Sequence, residues 1–525
     1  MIWWLACAGE PEVVDTSVDE AVTSDLVALD APRLARRMSL DLRGVLPSED
    51  ELATVDEDPE TLDELIEDWL DAPELEERLV HLLADAWWTR SEDLAATGAD
   101  FGIYDELWAF DRAVGEEPLR LMARIAVDDR PWTDIVTAEG TMATELMEEA
   151  FPVDRDPGEG WQPASWTDAR PAAGVLATNG LWWRYTTTSS NLNRARAAAV
   201  SRLLVCSDFL GRPVSFSDEL GVEDAEEAVR TQPACLACHA GLDPIAGALF
   251  GFWWYLPESS LEVVQYHPER EHLAQDTLGV VPGWMGTEVD GLSGLGQAIA
   301  ADPRFPRCQA ETFASLLWTR EVVEADFEVV DELVAAFEAD GLRVKALLRA
   351  VLETESYRVG GYVEGTSGDE RTTRMLSPAQ LASSYEDLTG FRWTWNGQDR
   401  MDGDAQGFRI LAGGVDGRLV RQRQWEPGLT WSLVVERLAQ AAAQQVVDDM
   451  DAGTSELVSV GLSVSEAELE AEVERLVWRL FGERDDEAVA LAVALWQAVE
   501  PDEGASAAWE AMIAALLRDP RMVTL

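Results

Sequence analysis

The run Cys235-Leu236-Ala237-Cys238-His239 constrains this chain more than any other stretch. Whatever backbone carries it must present two thiols and an imidazole together. The chain holds 5 Cys and 4 His in 525 residues, and random placement gives on the order of 10⁻³ such runs or fewer. Three chemistries compete for the motif. A redox-active dithiol prefers a strand-to-helix setting, which Pro233 ahead of a short helix satisfies only loosely. Zinc needs further ligands; Cys206 and Cys308 can supply them, but no second Cys-x-x-Cys pair stands at the usual spacing. Covalent haem uses the whole pattern: each thiol adds across a vinyl group, and the following histidine takes an axial position on the iron. Only haem requires the histidine directly after the second cysteine, which favours it.

On that reading the cofactor is one haem c, attached through Cys235 and Cys238, with His239 as the proximal iron ligand. The second ring nitrogen of His239 then needs an acceptor, for which the backbone around Asp243-Pro244 is the nearest source. Trp253, Trp254 and Tyr255 supply an apolar wall, a role compatible with simple core packing. For the distal position the sequence offers Met285 in Pro282-Gly283-Trp284-Met285-Gly286, His267 or His272, or an open site. Covalent haem implies an extracytoplasmic compartment, where Cys206 and Cys308 are expected to form a disulfide.

Charge bounds the partners. The formal net charge is −59, and of 40 basic residues only Lys345 is a lysine. Such a surface repels nucleic acid and anionic lipid and steers basic proteins toward itself, so a basic redox partner is expected. Adaptation to salt, or selection for solubility, produces the same surface with no partner. A hydrophobic content of 47% and 22 Trp exclude a disordered chain. No stretch of about 20 apolar residues spans a membrane. Met1-Ile2-Trp3-Trp4-Leu5-Ala6-Cys7-Ala8 is similar to the end of a bacterial lipoprotein signal, with Cys7 as the lipidated residue, although its apolar core is short and no basic residue precedes it. Membrane anchorage, if any, is expected through that lipid alone. No Walker loop, nucleophile elbow or dinucleotide fingerprint occurs.

Helical periodicity dominates the remainder. A helix is expected from about Ala31 to Arg43, with Asp30 as N-cap, Pro32 in the first turn and Gly44 closing it. Ser48-Glu49-Asp50-Glu51 is a capping box. Leu62, Leu65, Ile66, Trp69 and Leu70 recur at helical spacing, and His81 lies among leucines as a structural histidine. Pro152 to Pro171 reads as a loop and a domain boundary, and Gly360 to Glu370 as the clearest linker. Ser377-Pro378-Ala379-Gln380 opens a helix that parallels the first: Pro32 and Pro378 precede Asp-Leu-x-Gly endings by the same interval. Leu70 to Leu75, Leu352 to Tyr357 and Leu517 to Met522 echo one another, and Leu317-Trp318 parallels Val477-Trp478. A degenerate duplication follows, with the motif segment inserted in the first copy. The expected fold is mainly α: two helical lobes, with a loop-rich haem segment in the first. The expected divisions are a signal or tether at 1–25, a helical domain at 26–150, the haem-motif region at 151–358, a linker at 359–372 and a C-terminal helical domain at 373–525.

Several stretches resemble the Planctomycete-cytochrome-C-like proteins, which are assembled from domains of unknown function. They are Arg36 to Pro47, Glu117 to Leu121, Arg130 to Thr133, Cys238-His239-Ala240-Gly241-Leu242-Asp243-Pro244, Arg304-Phe305-Pro306-Arg307-Cys308 and Gly413-Gly414-Val415-Asp416-Gly417. The resemblance implies a largely helical, extracytoplasmic c-type-haem protein and names no substrate. Electron transfer is the expected function. A haem enzyme of peroxidase type, and a cell-envelope scaffold with structural haem or none, are the alternatives.

Overall fold

A computed structural model describes residues 25–525 except 93, 213–227, 230, 254–262, 365, 369 and 404–406. Cys7, Trp254 and Tyr255 therefore lie outside the described residues. The fold is mainly α, with only small sheets. Among the described residues no helix is long and apolar enough to cross a membrane.

Two hydrophobic cores organise the helices. One runs from Leu34 to Tyr357 without a break, so residues 26–150 and 151–358 share a single core. The other is built from residues 375–523 together with Leu40 and Leu46. The Pro152–Pro171 stretch separates no cores. It folds as strands Val153–Arg155 and Gln162–Trp166, which join Thr141–Ala143 in an antiparallel sheet. Glycines at 158 and 160 mark the turn between two strands too short to announce themselves by alternation. The linker is likewise partly structure. Val359–Tyr362 pairs with Leu26–Ala28 and closes the first lobe onto its own beginning.

The helix Ala31–Leu42 sits between the lobes. The Asp30 side chain caps the backbone N–H of Arg33 at 3.1 Å, and Gly44 beyond the end adopts φ +80°. A surface helix buries one stripe, but this one buries ten of its twelve residues, Arg36, Arg37 and Asp41 included. Leu34, Ala35, Met38 and Leu42 face the first core and Leu40 the second. The helix Pro378–Thr389 packs beside it, through a capping box of Ser377 with Gln380 and bonds from Gln380 Nε2 to Leu40 O (2.9 Å) and Asp41 Oδ1 (3.0 Å).

Each lobe ends in the same four-helix arm. In the first the helices are Arg304–Trp318, Phe327–Ala339, Val344–Glu353 and Glu355–Arg358; in the second they are Glu466–Phe481, Asp486–Glu503, Ala505–Leu517 and Pro520–Val523. Leu317 and Leu480 are each the second-last residue of the opening helix, and Tyr357 and Met522 each the third of the closing one. The residue after each arm pairs with the chain just before its lobe's first helix: Val359 with Ala28, and Thr524 with Met375. These positions align Trp318 with Phe481, one turn from the Trp478 that the sequence echo suggested. A three-residue slip keeps the same helix face, so periodicity alone does not resolve it.

Buried arginines hold both arms. Arg36 donates to Leu480 O (3.0 Å), Met522 O (2.6 Å) and Thr524 O (2.8 Å) of the second arm. The matching carbonyls of the first arm are shared by two side chains. Arg37 reaches Tyr357 O (2.6 Å) and Val359 O (2.8 Å), and Arg374 reaches Leu317 O (2.8 Å) and Tyr357 O (2.9 Å). Burial lowers the Arg36 pKa to about 10, and burial together with Arg374 lowers that of Arg37 to about 9; both stay charged at neutral pH. Their ligands are carbonyl dipoles at helix ends, groups that otherwise lack partners.

Candidate functional site

Cys235, Cys238 and His239 lie in the first half of the helix Pro233–Ala248, with proline at its first position. At 100° per residue, Cys235, Cys238 and His239 share a face with Leu242, Ile245 and Ala246. In the second half of the helix that face is core: Leu242, Ile245 and Ala246 are buried. In the first half it carries the two thiols, free and half-buried, and the imidazole, 23% exposed. Cys238 packs against the edge of the first core.

His239 is held from one side. Its Nδ1 lies 2.9 Å from Asp243 Oδ1, one helical turn on. Arg194, the first residue of the neighbouring helix Arg194–Val205, binds the same carboxylate through Nε to Oδ1 (2.8 Å) and Nη2 to Oδ2 (2.9 Å). Burial pushes the Asp243 carboxyl up, but the bonds from His239 and Arg194 outweigh it and hold the pKa below its ordinary value. The acceptor anticipated from the backbone around Asp243-Pro244 is thus the Asp243 side chain itself. Nε2 of His239 has no hydrogen-bond partner among the described residues. Asn193 Nδ2 to Leu249 O (3.0 Å) and the fully buried Arg196, bound to Phe252 O (2.7 Å) and Tyr185 O (2.8 Å), fix the two helices against each other.

The other expected residues are distributed as follows. Met285 and Gly286, at φ +48° and +89°, form the two-residue turn of the hairpin Gly283–Trp284/Thr287–Glu288. Positive φ at both central residues is the primed geometry that tight hairpins require. The hairpin approaches the motif helix at Pro244 and Gly247, and Met285 packs on the first core. Pro244 lies about 140° around the helix from His239, five residues at 100° each. His267 is buried with Nδ1 2.9 Å from Glu269 Oε1, and His272 is exposed. Trp253 packs against the first core, with its ring 5.1 Å from Phe250. Cys206 and Cys308 form a disulfide with Cα atoms 5.2 Å apart, tying the helix of Arg194 to the first arm. That bond removes the two thiols that a zinc site at the motif would have borrowed. Among the described residues no three His, Cys, Asp or Glu side chains converge as a metal-binding group.

Two thiols and an imidazole nitrogen without a partner among the described residues, on one helix face, are the donor set that covalent haem uses, and a carboxylate is one of the partners the other nitrogen can take. The residues present fit the group. Arg194 was not foreseen, because 49 residues separate it from Asp243. The carboxylate could have been, since Asp243 stands at i+4 from His239.

A second polar cluster escaped the sequence reading. Arg90 and Arg112 of the first lobe, both paired with Glu116, meet Asp402 and Arg409 of the second around a cavity of about 240 Å³ that Trp108 and Asp111 also line. Burial and Arg90 lower the Arg112 pKa to about 9, and burial raises Asp111 to about 6. His81 belongs here, between Arg90 Nη1 (2.7 Å) and Glu77 (3.3 Å), and burial followed by Arg90 lowers its pKa to about 4, so it is neutral at pH 7. Gly417, in the Gly-Gly-Val-Asp-Gly stretch, lies against this seam at φ +72°; a Cβ there would stand 2.5 Å from Trp88 O.

Residues 285–357 match a family described as a protein of unknown function, DUF1585, a domain found in planctomycete cytochrome-c-like proteins. The matched segment runs from the Met285 turn through the first arm to Tyr357 and stops short of the Cys235–His239 motif. No protein of curated function and no solved structure matches the chain.

Proposed function

We propose that this chain is an extracytoplasmic protein carrying one covalent haem c and that it transfers electrons. The observation that carries the reading is His239: its Nδ1 is committed to Asp243 while its Nε2 has no hydrogen-bond partner among the described residues, on the helix face that bears both thiols. Bound haem supplies a one-electron ferric/ferrous couple at a fixed site. Cys235 and Cys238 would anchor it, His239 would ligate its iron, and the Trp253 side of the core would exclude water. Met285, the distal candidate, would have to reach the iron from a turn that meets the same helix about 140° around from His239. The net charge of −59 suits a basic redox partner, since complementary fields speed the encounter of electron-transfer proteins. The Cys206–Cys308 disulfide agrees with an oxidising compartment.

The test is expression with a c-type maturation system followed by a pyridine haemochrome spectrum. One haem c per chain, lost in Cys235→Ser/Cys238→Ser, is the expected result. A chain without haem-c bands would refute the reading. A ferric spectrum of open, high-spin iron in the haem-bearing chain would turn it from electron transfer toward a haem enzyme of peroxidase type.

A further inference from the structure

The Arg194–Asp243–His239 chain has more order than a haem-anchoring helix needs. Thioether bonds from Cys235 and Cys238 would by themselves fix the cofactor to the helix, and the Cys206–Cys308 disulfide already ties the neighbouring helix to the first arm. Yet a buried carboxylate, 4% exposed, takes a two-point fork from an arginine on another helix and, on one of the same oxygens, the imidazole nitrogen. An ionised carboxylate only accepts, and a guanidinium only donates. Nδ1 of His239 must therefore carry the proton in that bond, which in the neutral imidazole leaves the lone pair on Nε2.

We propose that Asp243 and Arg194 are positioning residues that lock His239 in its Nδ1–H tautomer and set the electron-donating strength of the proximal ligand. This inference rests on the haem reading above and adds to it a control of reduction potential. A carboxylate on Nδ1–H makes the imidazole a stronger donor, which favours ferric over ferrous iron and lowers the potential. Arg194 has a different task. Its planar fork occupies both carboxylate oxygens, so Asp243 cannot swing away from the histidine, and its charge keeps the buried carboxylate ionised. Lysine supplies the charge without the fork. The two residues lie 49 apart in sequence, so this control depends on the packing of the Arg194–Val205 helix against the motif helix.

Two measurements on the full-length chain test the proposal. Nitrogen-15 spectra of histidine-labelled, haem-free protein report the tautomer of each of the 4 His. His239 is expected as Nδ1–H in the wild type and as a mixture of tautomers in Asp243→Ala. In the haem-bearing protein the midpoint potential should rise in the order wild type, Arg194→Lys, Asp243→Asn, Asp243→Ala, with the haem content per chain unchanged. A merely structural ion pair would lower stability in these variants without moving the potential. An Nε2–H tautomer for His239 in the wild type would overturn the proposal, as would a potential that stays put in Asp243→Asn at full haem content. If the wild type acquires no haem c, the haem reading falls with its potential control, and the tautomer measurement still decides the positioning claim. Should the Asp243 variants fail to fold, the wild-type tautomer and the Arg194→Lys potential carry the decision.

Discussion

The two arms of this molecule have the same plan and different fastenings. In the second arm one guanidinium, Arg36, collects the carbonyls of Leu480, Met522 and Thr524, and it comes from the other lobe. In the first arm the matching carbonyls are divided between Arg37 and Arg374, and the disulfide from Cys308 to Cys206 adds a covalent tie. The more heavily fastened arm packs against the motif segment; the other lobe carries no such segment. The difference teaches what the fastenings are for. An arm that ends a lobe needs its last carbonyls satisfied, and one arginine suffices. An arm that must also hold the motif segment in place is fixed at several points.

The comparison can be broken in order of expected effect. Removing the disulfide in Cys206→Ser/Cys308→Ser frees a loop of 102 residues and should cost about 4–5 kcal/mol by the loop-entropy estimate. Amide hydrogen exchange should speed up in residues 194–205 and 304–318 and stay slow in 466–523. Exchange rising equally in both arms would show that the lobes do not differ in this way.

Arg36→Met removes three bonds to buried carbonyls and should cost about 3–4 kcal/mol, read as a lowered urea midpoint. Arg37→Met should cost less than half of that, about 1.5 kcal/mol, because Arg374 still reaches Tyr357 O. Equal losses would contradict the division of labour. Burial of a charge without a carboxylate partner makes Arg36→Lys a poor rescue, since the ammonium cannot span three carbonyls.

Two buried glutamates sharpen the comparison with opposite signs. Glu117 in the first lobe is fully buried, and burial raises its pKa from 4.5 to about 7 against bonds from Gly180 N–H (2.9 Å) and the Thr141 hydroxyl (3.0 Å). A raised pKa means that the folded state binds the proton more tightly. The contribution is fully present below 4.5 and is lost as pH rises through about 7, a swing of about 3 kcal/mol at 1.36 kcal/mol per unit. Glu472 in the second lobe is lowered: burial raises it, but bonds from Arg475 and Ser459 win, so its contribution is present above 4.5 and fades in acid. Asp111 and His81 of the same lobe also respond between pH 8 and 5, with opposite signs and equally in the wild type and Glu117→Gln. The test is therefore the difference in urea midpoint between these two chains, which should shift in favour of the wild type as pH falls from 8 to 5. A difference between the two chains that stays flat over the same interval would refute the assignment.

An effect about as small as that of Arg37→Met is expected at the seam. Asp402→Asn removes the carboxylate shared by Arg90 and Arg112 and should cost about 1–2 kcal/mol. It should leave the pH response of Glu117 intact. A loss as large as that of Arg36→Met would move the main tie between the lobes from the arginine clasps to this cluster.

Legibility in the sequence followed range. Local signals were readable: the Asp30, Ser48 and Ser377 caps and the Gly44 and Gly390 terminators all stand where their spacing placed them. The duplication was visible in its endings but slipped by a turn at Trp478, since a three-residue shift preserves a helix face. The Pro152–Pro171 stretch looked like a boundary because proline and glycine mark turns whether or not short strands lie between them. Arg36 and Arg37 were noticed only as part of a resemblance. Nothing local says that adjacent arginines on one helix turn to opposite lobes. Arg194 was invisible for the same reason: its partner is chosen by helix packing.

The Cys235-Leu236-Ala237-Cys238-His239 run remains the centre of the functional reading, and peptide mapping tests it most directly. The chain, matured in an oxidising compartment with haem-attachment machinery, is digested without reduction and its peptides are weighed. The peptide containing Cys235 and Cys238 should carry the mass of one haem, and Cys206 should be recovered linked to Cys308. Recovery of that peptide unmodified, with both thiols open to alkylation, would contradict the proposal that this helix face holds haem.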